Sequence, residues 1–438
     1  MGVLHVSNIQ LMAKTAREAA LSLCAADIDT RNKALLAIAD AISANVPELM
    51  EVNKVDVEKA TAENLAGPLL SRLKLTEAKC QRMVDGLKAL AALPDPLGKV
   101  SYAMELSQGL ELYRVGCPIG VVGVIFESRP DALVQISSLC LKSGNAVLLK
   151  GGREALQTNA FLTKLICAAT EEVGLPKGWC SLLQTREDVA EMLKQGDSID
   201  LIIPRGSNAF VRYIMQNSEI PVLGHAEGLC HVYVDAECDV AQAVKVAVDS
   251  KTQNLSVCNA AETMLVHKDV AETFLPLVAE QLTAKGMALR GDERTCQIIS
   301  CDPATEEDWQ TEYLDAILSI KVVDSLDEAI QHINHYGSHH TDSILSTNMD
   351  NVERFMTLVD SADVFHNCST RFADGFLFGL GAEVGIATGK IHARGPMGME
   401  GLCTYKYRLY GKGQTLTELN GGDISLSHKL LPNQLPEH

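Results

Sequence analysis

The chain has 438 residues, a formal net charge of −18 at pH 7 and a 47% share of hydrophobic residues. This length exceeds what one hydrophobic core usually serves, so we expect two or three packed units. Because an acidic surface repels phosphate backbones and anionic lipids, nucleic acid and membrane surfaces are poor candidates for partners. An anionic ligand would have to be attracted by local cations.

The cysteines and the start of the chain indicate a reducing compartment. Thirteen cysteines are scattered without a CxxC pair, which favours free thiols over a disulfide framework. Lys14, Arg17 and Glu18 interrupt the amino-terminal stretch, so it does not resemble a secretory signal, and no apolar run is long enough to span a membrane. We therefore expect a cytoplasmic protein.

The first hundred residues favour helices. Apolar residues at helical spacing follow a cap at Asp29 or Thr30 and reach Val46, and a second helical pattern covers 76–92. Alternation between polar and apolar residues then predicts a β-hairpin over 102–113.

From residue 121 onward, short β-rich runs alternate with helical patterns. The predicted elements are strand 121–126, helix 131–143, strand 146–150, helix 154–173, a strand near 181, helix 187–194 and strand 199–203. A second alternating block runs from His231 to Ala393, with a helix over 326–333 and a strand over 341–345. This alternation predicts parallel sheets wound on both faces, in which ligands lie at the carboxyl ends of the strands.

Two of the predicted strand ends, 126–129 and 150–153, carry cations beside small residues and should emerge on the same edge of the sheet. Lys150 and Arg153 flank Gly151 and Gly152, where the backbone could approach a ligand and the cations could hold a phosphate. Two solvated charges at a strand end account for this pattern equally well. The stretch 204–207, Pro-Arg-Gly-Ser, opens a predicted helix whose free N–H groups could bind an anion, although helix capping also explains its serine.

Two further patterns, one of glycines and one of histidines, resemble ligand-binding motifs but are better explained without a ligand. The GxGxxxG spacing over 379–385 lacks a preceding strand and a long following helix, so it predicts a tight turn rather than a pyrophosphate site. His332, His335, His339 and His340 lie close together in sequence, but without an HExxH motif or a cysteine pair they favour surface or supporting histidines. We expect no metal site.

Cys258 lies in the stretch Ser-Val-Cys-Asn-Ala-Ala-Glu over 256–262, at a predicted junction of strand and helix. Free N–H groups at such a junction can stabilise a thiolate. From the local sequence alone, one buried cysteine among thirteen is the more common interpretation.

Six motifs in order carry a resemblance to a known family. They are PIGVVGVIFESRP (118–130), GNAVLLKGGREA (144–155), LIIPRGS (201–207), SVCNAAET (256–263), STRFADG (369–375) and FGLGAEVGIATGKIHARGPMGMEGL (378–402). Together they closely resemble the γ-glutamyl phosphate reductases, also called glutamate-5-semialdehyde dehydrogenases, of the aldehyde dehydrogenase superfamily. The resemblance spans Arg114 to Tyr410, and the tail after Gly401 resembles the reductase half of the bifunctional pyrroline-5-carboxylate synthases.

The resemblance implies an α/β, aldehyde dehydrogenase-like fold: two doubly wound parallel-sheet domains plus a small β oligomerisation element. Residues 1–100 and 115–230 would form the cofactor-binding domain with its amino-terminal helices. Residues 231–395 would form the catalytic domain that carries Cys258. Residues 101–114 and 396–438 would form the oligomerisation hairpin and tail, so a homo-oligomer is expected.

The implied reaction is the NADPH-dependent reduction of γ-glutamyl phosphate to glutamate 5-semialdehyde and phosphate, in proline biosynthesis. Cys258 is implied as the nucleophile that forms a thioester. By the same resemblance, the backbone N–H of Cys258 would stabilise the oxyanion, with Ser128 as a second donor. Leu255 stands where family members usually have proline, which would loosen the turn without touching the thiol.

Other residues in the motifs have implied binding roles. Where NAD-preferring relatives carry a glutamate after the strand-end lysine, Arg153 stands here and would pair with the 2′-phosphate of NADP. The implied cofactor-binding residues are Lys150, Gly152, Arg153, Arg205, Gly206, Ser207 and Glu312. The implied substrate-binding residues are Arg129, Ser369, Thr370, Arg371 and Arg394. For the last two, an arginine that only pins a loop is an equally good interpretation.

Two alternatives remain open. A hydrolytic aldehyde dehydrogenase would carry a glutamate base in a Glu-Leu-Gly-Gly motif, whereas the matching stretch 222–227 is Val-Leu-Gly-His-Ala-Glu, in which no acid aligns securely. The second alternative is a scaffold or filament subunit. No amino-acid kinase segment is expected in the chain, so the small-molecule acyl phosphate would come from a separate glutamate 5-kinase, a candidate partner.

Overall fold

The computed structural model describes residues 7–380 and 383–436. The chain opens with helices α1 (Asn8–Ala25), α2 (Ile28–Ala44), α3 (Val46–Ala62), α4 (Gly67–Leu73) and α5 (Glu77–Ala92). The predicted cap of α2 is wrong: Asp27 caps this helix, because its carboxylate accepts a hydrogen bond from the N–H of Thr30 at 2.7 Å. Val46 opens α3 instead of ending α2, since Pro47 cannot continue the hydrogen-bond ladder of a preceding helix.

The predicted hairpin is confirmed, with slightly longer strands. It consists of β1 (Val100–Ser107) and β2 (Leu110–Pro118) in antiparallel register. Gly109 in the connecting turn has a φ of +71°, a conformation that suits glycine. The hairpin forms the centre of a small sheet that the end of the chain completes.

A first parallel sheet follows. Its elements are β3 (Val121–Ile125), α6 (Pro130–Lys142), β4 (Ala146–Lys150), α7 (Leu156–Glu172), β5 (Cys180–Leu182), α8 (Arg186–Met192), β6 (Leu201–Pro204) and α9 (Asn208–Asn217). The strand order is β5-β4-β3-β6. β3 and β4 are buried along their whole length, and α1, α2 and α5 contribute to the same core. The predicted elements are confirmed, except that α7 begins after a 3₁₀ turn over Arg153–Ala155.

A second parallel sheet has seven strands in the order β10-β9-β11-β8-β7-β12-β13. Its elements are β7 (Cys230–Val234), α10 (Val240–Thr252), β8 (Ala261–His267), α11 (Lys268–Ala284), β9 (Ala288–Gly291), α12 (Glu293–Ile298), β10 (Asp302–Pro303), β11 (Ile317–Val323), α13 (Leu326–Tyr336), β12 (Thr341–Leu345), α14 (Met349–Leu358) and β13 (Asp363–His366). Val232 and Val234 belong to one core and Tyr233 to another, because successive side chains of a strand point to opposite faces. The sheet is therefore covered by helices on both faces, which confirms the predicted fold class.

The end of the chain returns to the first half of the structure. β14 (Gly385–Ala387) and β15 (Gly395–Met397) form an antiparallel pair, and Val384 and Met397 pack in the core of the first sheet. The last elements are β16 (Cys403–Tyr410), α15 (Leu416–Gly421) and β17 (Lys429–Leu430). β16 pairs with β2 and β17 with β1, so the small antiparallel sheet has four strands. None of the described helices is long and apolar enough to cross a membrane.

Candidate active site

A cleft of about 900 Å³ lies where the two parallel sheets meet. One wall follows the ends of β3 and β6, through Phe126, Glu127 and Arg205. The other wall comes from the loops that precede β7 and β8, through His225 and Cys258. The carboxyl ends of the first sheet therefore face the amino ends of the second. A ligand was expected at the carboxyl ends of parallel strands, and only the first wall of this cleft meets that expectation.

Cys258 lies in the loop between α10 and β8, half-buried, and lines the cleft. The loop is fixed from two sides: the hydroxyl of Thr370 donates to the carbonyl oxygen of Asn259 at 2.7 Å, and the Asn259 amide donates to the carbonyl of Ala373 at 2.9 Å. The Cys230 thiol contacts the Cys258 carbonyl oxygen at 3.2 Å. Among the described residues, the backbone N–H of Cys258 has no hydrogen-bond acceptor. The sulfur is thus reachable on a firmly held loop.

In the described part of the cleft four arginines contribute to the lining, although the chain as a whole is acidic. Arg129 and Arg205 follow β3 and β6, Arg371 follows β13, and Arg72 reaches in from α4. Burial lowers the pKa of Arg371, and the nearby Cys258 sulfur opposes that shift. Since arginine stays protonated in proteins, the thiol lies among permanent cations. Arg72 belongs to none of the motifs, so sequence reasoning missed it.

Carboxylates balance part of this positive charge. Glu312 accepts hydrogen bonds from the Asn208 amide at 2.7 Å and from the N–H of Gly228 at 2.9 Å. Glu383 lies 3.9 Å from Arg205 between Oε1 and Nη2. Burial raises the pKa of Glu383, while a backbone hydrogen bond and the Arg205 charge act in the opposite direction. Both carboxylates are engaged by protein groups.

The stretch that corresponds to Glu-Leu-Gly-Gly brings an imidazole to the cleft. The lining residues of this stretch are Gly224, His225 and Ala226. Nδ1 of His225 lies 2.7 Å from the carbonyl oxygen of Ile386, and burial lowers the pKa of the ring. Glu227 forms an ion pair with the exposed Arg212 rather than lining the cleft. No side chain of 222–226 is an acid.

The implied cofactor residues at the end of β4 lie outside the lining of this cleft. Lys150 is buried, donates to the carbonyl oxygen of Gly151 and has its pKa lowered by burial. Arg153 has an 84% exposed side chain and reaches Glu63 only at 3.6 Å. Arg153 is therefore free to move toward a ligand at this edge, together with Gly152.

The implied cofactor residues at the end of β6 do line the cleft. Arg205, Gly206 and Ser207 immediately precede α9, whose first residue Asn208 also lines it. Ser207 is the N-cap residue but makes no side-chain capping bond, so its hydroxyl is available. The start of α9 thus presents backbone N–H groups at the cleft.

Two implied residues have other contacts. Ser128 is buried, and both its N–H and its hydroxyl donate to the Glu154 carboxylate, so its hydroxyl proton is already committed. Arg394 donates to the carbonyl oxygen of Asp360 at 3.0 Å and lines a separate cavity. The structure therefore places neither side chain among the lining residues around Cys258.

Ser369 and Thr370 are also buried and support the site from behind. The Ser369 hydroxyl oxygen accepts a hydrogen bond from the N–H of Arg371 at 3.3 Å. The Thr370 hydroxyl holds Asn259, and the Thr370 N–H donates a hydrogen bond to the Ser250 hydroxyl at 3.3 Å. Arg371 alone of the three lines the cleft.

The four clustered histidines separate in the structure. His332 and His340 are buried against the second sheet, so neither has the surface position that was one of the two expected for these histidines. Burial lowers the pKa of His332 to about 2. His335 is exposed at the end of α13. Of the four, His340 alone has a ring nitrogen close to the cleft, near Cys258.

The glycine-rich stretch 379–385 is consistent with a turn. Gly379 has a φ of +75°, and the short strand β14 follows in place of a long helix. Gly381 lies outside the described residues. Glu383, two residues after Gly381 in the sequence, lines the cleft.

Comparisons with known proteins identify the family. The chain matches the model of the aldehyde dehydrogenase family over residues 4–298. The γ-glutamyl phosphate reductases of Acetivibrio thermocellus and Pelotomaculum thermopropionicum are each 55% identical to it; the matches cover 98% and 95% of this chain and 100% and 96% of the relatives. A crystal structure of γ-glutamyl phosphate reductase from Thermotoga maritima, 40% identical, covers 93% of this chain and 100% of its own, with a TM-score of 0.92. The chain belongs to the γ-glutamyl phosphate reductase family.

Family membership confirms the resemblance that the six motifs carry and the aldehyde dehydrogenase-like fold. The γ-glutamyl phosphate reductases are oxidoreductases with a small-molecule substrate, and membership of the aldehyde dehydrogenases indicates a nicotinamide cofactor. More distant structures share the fold alone. An acetylating aldehyde dehydrogenase from Geobacillus thermoglucosidasius, 16% identical, has a TM-score of 0.65 over 94% of this chain and 98% of its own.

Proposed function

We propose that this chain reduces γ-glutamyl phosphate to glutamate 5-semialdehyde and phosphate, in proline biosynthesis. The printed names of its relatives support this substrate. The observation that carries the proposal is a reachable thiol, Cys258, in a cleft whose arginines suit a phosphorylated substrate. The stretch 222–226 supplies no carboxylate to activate water against a thioester.

The first step is acyl transfer to Cys258. The Cys258 thiol releases its proton to water, and the thiolate attacks the acyl carbon. The bond from that carbon to the phosphate oxygen breaks, and phosphate leaves with the bonding electrons. The backbone N–H of Cys258, which has no acceptor among the described residues, stabilises the oxyanion. Ser128 would join it only after releasing Glu154.

Cations around the thiol favour the departing phosphate. Arg371 and Arg205 lie close enough to Cys258 for its charge to act on both guanidinium groups. Arg129 completes the anion-binding side of the cleft, and Ser369 and Thr370 position Arg371 and the nucleophile loop. We assign substrate binding to Arg129, Ser369, Thr370 and Arg371. Arg394 would contribute only by leaving Asp360.

We propose NADPH as the cofactor, which supplies the hydride that reduces the thioester to the aldehyde. The end of β4 fits it, because Gly151 and Gly152 have no side chains and Lys150 and exposed Arg153 offer charge to a 2′-phosphate. The start of α9, with Arg205, Gly206 and Ser207, suits a pyrophosphate. Glu312 would accept a hydrogen bond from a ribose hydroxyl.

The reverse reaction separates this proposal from a hydrolytic aldehyde dehydrogenase. We expect the oxidation of glutamate 5-semialdehyde, which is in equilibrium with pyrroline-5-carboxylate, to require inorganic phosphate as the acyl acceptor. The assay follows NADPH formation with and without phosphate. Oxidation that continues unchanged after phosphate is removed would favour hydrolysis and contradict the proposal.

Replacing the nucleophile tests the thioester. We expect Cys258→Ser to abolish turnover and to leave NADPH binding intact, since the alkoxide is far harder to form than the thiolate. Quenching of protein fluorescence measures cofactor binding, and NADPH consumption measures turnover. Activity above a few per cent of wild type in this variant would refute the role of Cys258.

We also infer that the four-stranded antiparallel sheet mediates association into a homo-oligomer. β16 is an edge strand, and its alternate residues Tyr405, Tyr407 and Leu409 are each more than half exposed. An unpaired edge with an apolar face is a typical association surface. Docking of a separate glutamate 5-kinase, which would shorten the path of a labile acyl phosphate, remains a further proposal that light scattering of the mixture tests.

A further inference from the structure

Two histidines from distant parts of the chain converge on Cys258. His225 precedes β7, Cys258 precedes β8 and His340 immediately precedes β12, three neighbouring parallel strands. One ligand-capable atom from each side chain lies within 4.8 Å of the other two. The two imidazole rings meet edge to face with centroids 4.7 Å apart. Three potential metal-binding atoms therefore share one corner of the cleft.

The hydrogen bonds show which ring nitrogens remain free. Nδ1 of His225 faces the carbonyl oxygen of Ile386 at 2.7 Å. Because a carbonyl can only accept, this nitrogen carries the proton and Nε2 keeps a lone pair. Nδ1 of His340 lies 2.8 Å from the Thr341 hydroxyl. Nε2 of His340 is buried without any hydrogen-bond partner, which is unusual for a polar atom in a protein interior.

We infer that Cys258, His225 and His340 form an inhibitory site for Zn²⁺ or a similar borderline-soft divalent ion. One thiolate and two imidazoles are a donor set that zinc prefers, with a fourth position left for water. Magnesium and calcium prefer oxygen ligands and are not expected here. The sequence argues against a permanently bound metal at the cluster of four histidines. The site inferred here is a different one, because it takes only His340 from that cluster and its sulfur ligand is the nucleophile Cys258.

The geometry requires only local adjustment. Tetrahedral zinc with the usual bond lengths would hold sulfur and nitrogen about 3.6 Å apart, against separations of up to 4.8 Å in the free site. Both imidazoles already have a hydrogen-bond partner at Nδ1, and this partner fixes the orientation of the ring. Histidines that bind metals in proteins are oriented by the same kind of contact at their second nitrogen. On binding, the thiol releases its proton to water as the sulfur–metal bond forms, with no change of oxidation state.

A metal at this site would occupy the electron pair that attacks the acyl carbon. Inhibition of the enzyme by the metal therefore rests on the proposed function, in which Cys258 is the nucleophile. Binding of the metal to the three side chains does not depend on that function. Equilibrium measurements of metal on the intact chain therefore separate a failure of the site from a failure of the proposed reaction.

The experiment uses Co²⁺ as a spectroscopic probe and Zn²⁺ as its competitor, with the full-length chain under reducing conditions. We expect one Co²⁺ per chain with a near-ultraviolet sulfur-to-metal charge-transfer band that Zn²⁺ displaces and Mg²⁺ does not. Cys258→Ala should remove the band. His340→Ala and His225→Gln should each weaken binding about tenfold or more, as loss of metal-site contacts does elsewhere.

The matched control is Cys296→Ala. Cys296 and Cys301 hold their sulfur atoms 2.9 Å apart, so they offer a soft ion a second pair of thiols. We expect this variant to keep full binding at the Cys258 site. A charge-transfer band that survives Cys258→Ala, binding that neither histidine variant weakens, or the absence of saturable binding would each overturn the inference. Reversible inhibition by Zn²⁺, relieved by a chelator, should follow the same dissociation constant.

Discussion

The packing of Gly228 against the nucleophile loop leads to a sharp prediction. A Cβ atom added at Gly228 would lie 2.0 Å from the carbonyl oxygen of Cys258 and 2.5 Å from its Cβ. Real Cβ contacts essentially never fall below 3.0 Å, so the Cys258 backbone would have to move by about 1 Å. The backbone of Gly228 does not adopt a positive φ, so the effect of Gly228→Ala would be steric alone.

A displacement of this size has a predictable cost. A shift of about 1 Å at the reacting atoms lowers turnover about 100-fold, and overpacking of a tight contact destabilises a protein by about 1–3 kcal/mol. We expect Gly228→Ala to show that loss of kcat in the phosphate-dependent assay, with NADPH binding nearly unchanged. Gly86→Ala is the matched control: Gly86 lies within α5 with nothing within 4 Å of an added Cβ. This variant should keep its activity and gain about 1 kcal/mol of stability.

Retention of more than about half of wild-type kcat in Gly228→Ala would refute the reasoning. It would mean either that the loop relaxes without moving the sulfur, or that Cys258 does not act at the position described. A large loss of kcat in Gly86→Ala would point to a general effect of glycine replacement.

Three further predictions address charge, assembly and pH. Arg153→Glu should raise the Michaelis constant for NADPH about tenfold, because a charge-assisted hydrogen bond contributes about that much to binding. The Michaelis constant for NADH should not change, and equal effects on both cofactors would contradict the assignment. Tyr407→Lys should reduce the sedimentation coefficient by placing charge on the exposed face of β16, and an unchanged value would exclude this face from assembly. Burial raises the pKa of Asp363 from 3.8 to about 6, so the native state binds the proton more tightly than the unfolded state. The contribution of Asp363 to stability should therefore fall by about 2 kcal/mol as the pH rises from 4 to 7. Asp363→Asn should lack this component when urea unfolding is measured at the two pH values.

The fold was largely predictable because its signals are local. The runs 121–125 and 146–150 are apolar along their length, as strands of a covered parallel sheet must be, and the helices between them show clear periodicity. The errors concern the ends of elements: α2 is capped by Asp27, two residues before the earlier of the two expected caps. A cap depends on one side-chain hydrogen bond, and several neighbouring residues could have made it.

The site was predictable only in part, because sequence order does not give strand order. Cys258 and Arg371 were identified through motifs, and both line the cleft. The sequence did not assign Arg72 on α4 or His340 before β12 to the site. Arg72 reaches the cleft because the first helices cover the first sheet. His340 comes near Cys258 because β7 lies between β8 and β12 in the second sheet. Ser128 illustrates the converse, because its partner Glu154 becomes a neighbour only when β3 and β4 pair.

The charge distribution gives the last link between composition and function. A chain with 56 acidic and 38 basic residues would repel an acyl phosphate if its overall charge decided binding. At physiological ionic strength, however, charges more than about 8 Å apart are largely screened, so the groups inside the cleft dominate. Among the residues that the structure describes, four arginines line the cleft together with four carboxylates, which are those of Glu127, Glu312, Asp374 and Glu383. The Glu312 carboxylate accepts hydrogen bonds from two protein donors. An acidic protein can therefore bind an anionic substrate where arginines line a cleft, despite the sign of its overall charge.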